Sequence, residues 1–349
     1  MFFGKKKLPA VERFMRAEMK IDFDFEGYSK HHIFNNLSAN SEFGFYYFPY
    51  GYLFRYPRWG KINELGFRQE ASSHKALDTY SDKFRICLFG GSNAFSILVK
   101  DSKTFAQKLE NLLNADDELK KKIGKNFKIL NFSQPGNTML NQIFNYIMFG
   151  SLVKPDLVIS HGGACDFNYG QISDPFLLNN YNITYVEISE TWSKIVHESD
   201  KKIEQDFCDE KSGNFVPVRV KNFPDKIIDS YHQRMIQFKN LVESNSTKFI
   251  NSLEPILYSK KSHSNEEKKN IKNYNKYYGA VYNNLLKLFD DYQKKYLEGN
   301  LEFNVNLHKE FNKLDSSITH FGDVVHTVET GEEIIANMYY KKIQEIYLN

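Results

Sequence analysis

The chain has 349 residues, and its 46 Lys+Arg against 43 Asp+Glu leave a formal net charge of only +3. That balance excludes a surface built to hold nucleic acid, while 41% hydrophobic and 15% aromatic residues exclude global disorder. Three cysteines (Cys87, Cys165 and Cys208) with no C-x-x-C pair exclude a disulfide framework.

The first twenty residues carry basic side chains with no apolar run behind them, so no secretory signal is read there. Residues 129–153 lack charge but include Asn131, Gln134, Pro135, Asn137, Asn141, Gln142 and Asn145, too polar for a membrane span. The expectation is a soluble, cytoplasmic protein. Only eight of the basic residues are Arg, and the Lys and Asn richness reads as an AT-rich bacterial genome, not as function.

In chain order, residues 1–60 form an aromatic-rich extension. Its stretch EFGFYYFPYGYLFRYPRWG (42–60) has no clear period and is expected to be irregular structure packed on a neighbouring core. From residue 84 strands alternate with helices. FRICLF (84–89), FKILNF (127–132) and DLVIS (156–160) read as buried strands. Helices are expected at 102–113, with Phe105, Leu109, Leu112 and Leu113 on one face, and near 139–150. Residues 167–223 break the rhythm and read as an insertion. A helix from 224 to about 245, a strand at 247–255, a solvated charge run at 260–273, a helix near 277–297, a strand at 303–307 and a helix from about 330 complete the chain. The fold class is α/β: a three-layer α/β/α sandwich on a central parallel sheet, with residues 61–349 as the main domain.

Ligands of such sheets collect at the carboxyl ends of the strands, and four segments there carry small or polar residues. Gly90-Gly91-Ser92-Asn93 can turn sharply from strand into helix and present a hydroxyl beside backbone N–H groups; alone, it is more simply a capped turn. Ser133-Gln134-Pro135-Gly136-Asn137-Thr138 is alone an ordinary Pro-Gly turn, and His161-Gly162-Gly163-Ala164-Cys165-Asp166 a glycine turn with a small Cys. Asp323 and His326, three residues apart, lie on one side of one turn, where a carboxylate can orient an imidazole.

Together, GGSN … PGNT … GGACD … DVVH, each after an expected strand or at the C-terminus, resembles the SGNH (GDSL-like) hydrolase family. INELGFR (62–68), FINSLEPILYSKK (249–261) and FGDVVHTVETGEEIIA (321–336) are similar to segments of one bacterial branch of it, and the likeness covers about residues 60–345. The resemblance implies a flavodoxin-like sandwich with Ser92 as nucleophile, His326 as general base and Asp323 as its orienter. It also implies an oxyanion hole from the N–H groups of Ser92 and Gly136 and the side chain at 165. Gly91 stands where many relatives have Asp, and Cys165 stands where the family has Asn. A thiol is a weak donor, and one missing oxyanion donor costs on the order of 10²–10³ in rate.

The activity implied is ester cleavage through an acyl-serine on a small or glycan-linked ester, without cofactor or metal. The alternatives are O-acyl transfer with the same residues, or a non-catalytic member that binds a glycan or protein. No metal-ligand spacing, G-x-G-x-x-G or Walker motif appears. Residues 1–60 and 167–223 are expected to cover the site and set substrate choice. His161 is expected to be packed, His320 to lie on a surface loop, and Arg68 to tie the N-terminal segment to the domain.

Overall fold

FRICLFG, FKILN, LVISHG and KFINSL are apolar on both faces, and a strand of that kind needs covering on both. The computed structural model describes residues 45–48, 51–54, 63, 67–69, 76, 78–170, 224–298 and 302–348. Most of the N-terminal extension and of the insertion lie outside them.

Strands β1 (Phe45–Phe48) and β2 (Gly51–Phe54) pair antiparallel, with Phe45 opposite Phe54 and Phe48 opposite Gly51. This overturns the expectation of irregular structure across 42–60. Both runs are dominated by aromatic residues, which favour pleated backbone, and only two residues separate them, as in a tight hairpin.

The chain continues as β3 (Phe84–Gly90), α1 (Phe105–Ala115), α2 (Asp117–Ile123), β4 (Phe127–Asn131), α3 (Met139–Asn145), β5 (Leu157–Gly162), α4 (Ala164–Gly170), α5 (Pro224–Glu243), β6 (Lys248–Leu253), α6 (Asn265–Tyr292), β7 (Asn304–Val305), α7 (Leu307–Phe311) and α8 (Glu329–Leu348). The five strands β3–β7 form one parallel sheet in the order β4-β3-β5-β6-β7. In register, Ile86 lies beside Ile129 and Leu157, and Ile159 beside Ile250.

One face carries α1, α2 and α8, whose Phe105 and Tyr339 pack on His161 of β5. The other carries α3, α4, α5 and α6. There the Phe89 ring meets Phe132, Tyr146 and Phe238, each centroid within 6.0 Å. Such aromatic pairs add about 0.5–1.5 kcal/mol each beyond the area they bury. Local signals set the helix starts: Thr104 accepts from the Gln107 N–H, and Asp116 from that of Leu119. Among the described residues no helix is long and apolar enough to cross a membrane.

The expected helix near 139–150 is α-helical only to Asn145 and continues as one wide turn over Tyr146–Gly150. α2, α4 and α7 were not expected; each has seven residues or fewer, too short to show a period.

The run at 260–273 departs most from expectation. Ser264 accepts from the Glu267 N–H while the Glu267 carboxylate accepts from that of Ser264, a capping box that starts α6 twelve residues before the expected position. Lys261, Glu266, Lys268 and Lys269 are exposed, as a solvated run requires, but Lys260 and Glu267 are buried and paired at 2.6 Å. The Glu267 carboxylate also accepts from the His320 and Phe321 N–H groups, and Lys260 Nζ donates to the Ile318 carbonyl and lies 3.1 Å from His320 Nδ1. His320 is therefore buried rather than on a surface loop, and burial holds its imidazole below the usual range. This ion pair shapes the loop that leads into Asp323.

Burial opposes ionisation of Glu267, but Lys260 and the surrounding N–H donors outweigh it and hold the carboxyl below the usual range. Its stabilisation is thus present at neutral pH and lost as pH falls through the folded-state value. Lys260→Met should cost about 3–5 kcal/mol at pH 7, because it strands a buried carboxylate. Measured by urea denaturation, that deficit should narrow on acidification, as the stranded carboxyl takes up a proton.

Candidate active site

The strand order reverses between β3 and β5, so the connections leaving these two strands diverge and open a crevice at their carboxyl ends. Gly90 closes β3 at that point. A Cβ there would lie 2.1 Å from the His161 carbonyl oxygen, so only glycine lets the two strand ends approach.

The chain does not enter a regular helix after Gly91, as the motif suggested. Phe95 N–H donates to the Gly91 carbonyl for a single helical turn, which then stops. Ser96 takes the left-handed conformation (φ 57°), its N–H donates to the Asn93 carbonyl, and the Ile97 N–H donates to that of Ser92. These paired bonds form a Schellman motif, normally closed by glycine and here by serine. Arg68 clamps the same loop. Its guanidinium donates to the carbonyls of Phe95, Ser96 and Val99 at 2.7–2.9 Å and pairs with Asp101 at 2.8 Å. That is the tie expected of it.

Pro135 and Gly136 occupy a turn closed by Asn137 N–H donating to the Gln134 carbonyl, with Gly136 at φ 80° as a type II turn demands. The Asp166 carboxylate accepts from Met139 N–H at 2.9 Å, fixing the start of α3 just beyond that turn. Glu254, at the end of β6, accepts from Ala164 N–H at 2.7 Å and so holds the start of α4, where Cys165 sits. Burial pushes both carboxyls up to about 7, against the opposing pull of those N–H donors.

The fourth segment forms its own small turn. Asp323 Oδ1 accepts from the N–H groups of Val325 and His326, each at 2.7 Å, while Oδ2 lies 2.6 Å from His326 Nδ1. With Nδ1–H donating to the carboxylate, Nε2 is left as an acceptor, and it lies 2.6 Å from Ser92 Oγ. Asp323 is 1% exposed and His326 9%, so the chain of bonds is shielded along most of its length. Among the described residues neither the Ser92 nor the Gly136 N–H has an acceptor.

The structure thus brings Ser92, Asp323 and His326 into one hydrogen-bonded chain. It places Gly136 on the loop after β4 and Cys165 in the first turn of α4 after β5, the strands on either side of β3. Cys165 is partly exposed, and its Sγ occupies space that a side chain at 91 would claim: a Cβ on Gly91 would lie 3.1 Å from it. His161 is fully buried against Tyr339 and Ser252, and burial lowers its imidazole to about 3, as a packed histidine requires.

Two supporting residues escaped the sequence reading. Glu254 follows the strand end directly and precedes Pro255, a position that could have marked it. Glu332, whose carboxylate accepts from the Phe105 N–H and the Ser96 hydroxyl, looks in sequence like any surface residue of an amphipathic helix.

Solved structures similar to this chain include an acetyl xylan esterase, AlAXEase, 14% identical over 74% of this chain and 98% of that one, at a TM-score of 0.40. Another is the acetylxylan esterase Axe2 from Geobacillus stearothermophilus, 14% identical over 74% and 93%, TM-score 0.39. A third is the lipase/acylhydrolase from Enterococcus faecalis, 14% identical over 75% and 96%, TM-score 0.40. No protein-family model matches the chain, and no curated protein matches it.

Proposed function

We propose that the chain is an SGNH-type serine esterase, cleaving a small or glycan-linked ester through a covalent acyl-serine. The observation that carries this reading is the chain from Ser92 Oγ to His326 Nε2 and from His326 Nδ1 to Asp323 Oδ2, both at 2.6 Å.

In this reading Ser92 Oγ attacks the ester carbonyl carbon while His326 Nε2 takes its proton. The carbonyl oxygen becomes an oxyanion facing the Ser92 and Gly136 N–H groups. Collapse of the tetrahedral intermediate expels the alcohol, which leaves with the proton from His326. Water then attacks the acyl-serine and His326 takes its proton. The second collapse returns that proton to Ser92 Oγ and releases the carboxylic acid. Asp323 keeps the imidazole oriented and stabilises the imidazolium formed at each attack.

The direct test is hydrolysis of p-nitrophenyl acetate. Turnover should fall to background in Ser92→Ala, with the circular dichroism spectrum unchanged. Equal turnover by the two proteins would overturn the proposal.

Cys165 offers a separate test. Its thiol is a weak donor in the place from which a stronger one would reach the oxyanion. Cys165→Asn should therefore raise kcat, with the full effect of one donor, about 10²–10³, as the ceiling. A folded Cys165→Asn protein with no gain would remove position 165 from the oxyanion hole.

A further inference from the structure

Ser96 is one of only three non-glycine residues with positive φ among the described residues. Its Cβ makes that conformation costly, roughly 1–2 kcal/mol, and such strain persists only where the surroundings over-determine it. Two buried side chains supply that constraint. Arg68 donates to the Ser96 carbonyl at 2.7 Å, and the Ser96 hydroxyl donates to Glu332 Oε2 at 2.6 Å. Arg68 is 7% exposed and Glu332 0%.

Glu332 is also fastened on other sides. Its Oε2 accepts from Phe105 N–H at 2.6 Å, and its Oε1 lies 2.6 Å from Thr327 Oγ1, which is 3.0 Å from Asn93 Oδ1. Asn93 follows Ser92 and Thr327 follows His326. One buried carboxylate thus anchors both loops that must keep Ser92 and His326 in register.

The left-handed residue matters for Ser92 because of where the Schellman bonds fall. With Ser96 left-handed, the Ile97 N–H closes on the Ser92 carbonyl; with Ser96 right-handed, the turn would continue as helix and that bond would be lost. We propose that Glu332 and Arg68 are positioning residues that hold Ser96 left-handed and thereby fix the turn presenting Ser92 to His326. This rests on reading Ser92 as the nucleophile.

The Ser96→Ala and Ser96→Gly pair tests it, since both delete the hydroxyl that Glu332 holds but only alanine resists the left-handed backbone. With p-nitrophenyl acetate, Ser96→Ala should lose at least about tenfold in kcat, within the roughly 10²-fold that a 1 Å misplacement costs. KM should change by less than about threefold, because substrate contacts are untouched. Ser96→Gly should retain kcat, and Glu332→Gln should lose kcat in the wild-type background but much less in Ser96→Gly. Equal losses in Ser96→Ala and Ser96→Gly, or no loss in either Ser96→Ala or Glu332→Gln, would overturn the inference.

Crystal structures of the two Ser96 variants decide the matter independently of activity. The Ser92 Oγ to His326 Nε2 separation should exceed hydrogen-bonding distance in Ser96→Ala and stay at the present 2.6 Å in Ser96→Gly. If the wild type shows no Ser92-dependent turnover, the esterase reading falls, and an unchanged separation in Ser96→Ala would then overturn this inference by itself.

Discussion

A parallel sheet that reverses its strand order has one place where two neighbouring strand ends lead away from each other, and here it lies between β3 and β5. Ser92 leaves one of these strands and Cys165 follows the other. Gly136 comes off β4 on the far side of β3, and His326 arrives from the loop before α8. No two of these segments are neighbours in sequence. They meet because each connection must return over a face of the sheet and re-emerge at the same edge.

The sheet sets positions only to within a loop's freedom, and buried carboxylates remove most of the rest. Asp166 fixes the start of α3, Glu254 the start of α4, Glu267 the approach to Asp323, and Glu332 the turn behind Ser92. All four accept backbone N–H bonds, and such partners offset the cost of burying a charge. Burial nevertheless pushes three of them, Asp166, Glu254 and Glu332, up to about 7, whereas Glu267, with Lys260 beside it, stays low. Lys260 is among the groups that hold Glu267 low, and from the segment after β6 it donates to the Ile318 carbonyl on the loop that delivers the aspartate and histidine. An ordinary hydrophobic core cannot hold a loop in this way, because dispersion is not directional and a loop needs its backbone groups paired.

Much of this was legible in the sequence. Doubly apolar strands and the turn residues after them marked the sheet and its carboxyl edge. Ser92, Gly136, Asp323 and His326 were singled out by the order of four motifs that resembles a known family; taken locally, each segment read only as an ordinary turn or an Asp–His pair. What stayed hidden has physical reasons. Ser96 adopts a glycine's conformation without being one, so nothing in its type marked the end of the helical turn. Lys260 and Glu267 read as solvated because neighbouring charges are, and only the S-x-x-E spacing with Ser264 hinted otherwise. The hairpin at 45–54 was obscured by the prolines and glycines around it, and Glu332 by a helical pattern that accepts a glutamate anywhere on its polar side. In each case a partner distant in sequence decides the role, and periodicity does not register such partners.

The central claim is that His326 makes the Ser92 hydroxyl a nucleophile. Fluorophosphonate labelling of the purified protein, located by peptide mass spectrometry, tests it most directly, because the reagent requires an activated serine and no knowledge of the natural ester. A single adduct on Ser92 is expected, with a rate of formation that collapses in His326→Ala. An unlabelled Ser92, or labelling at the same rate without His326, would contradict it.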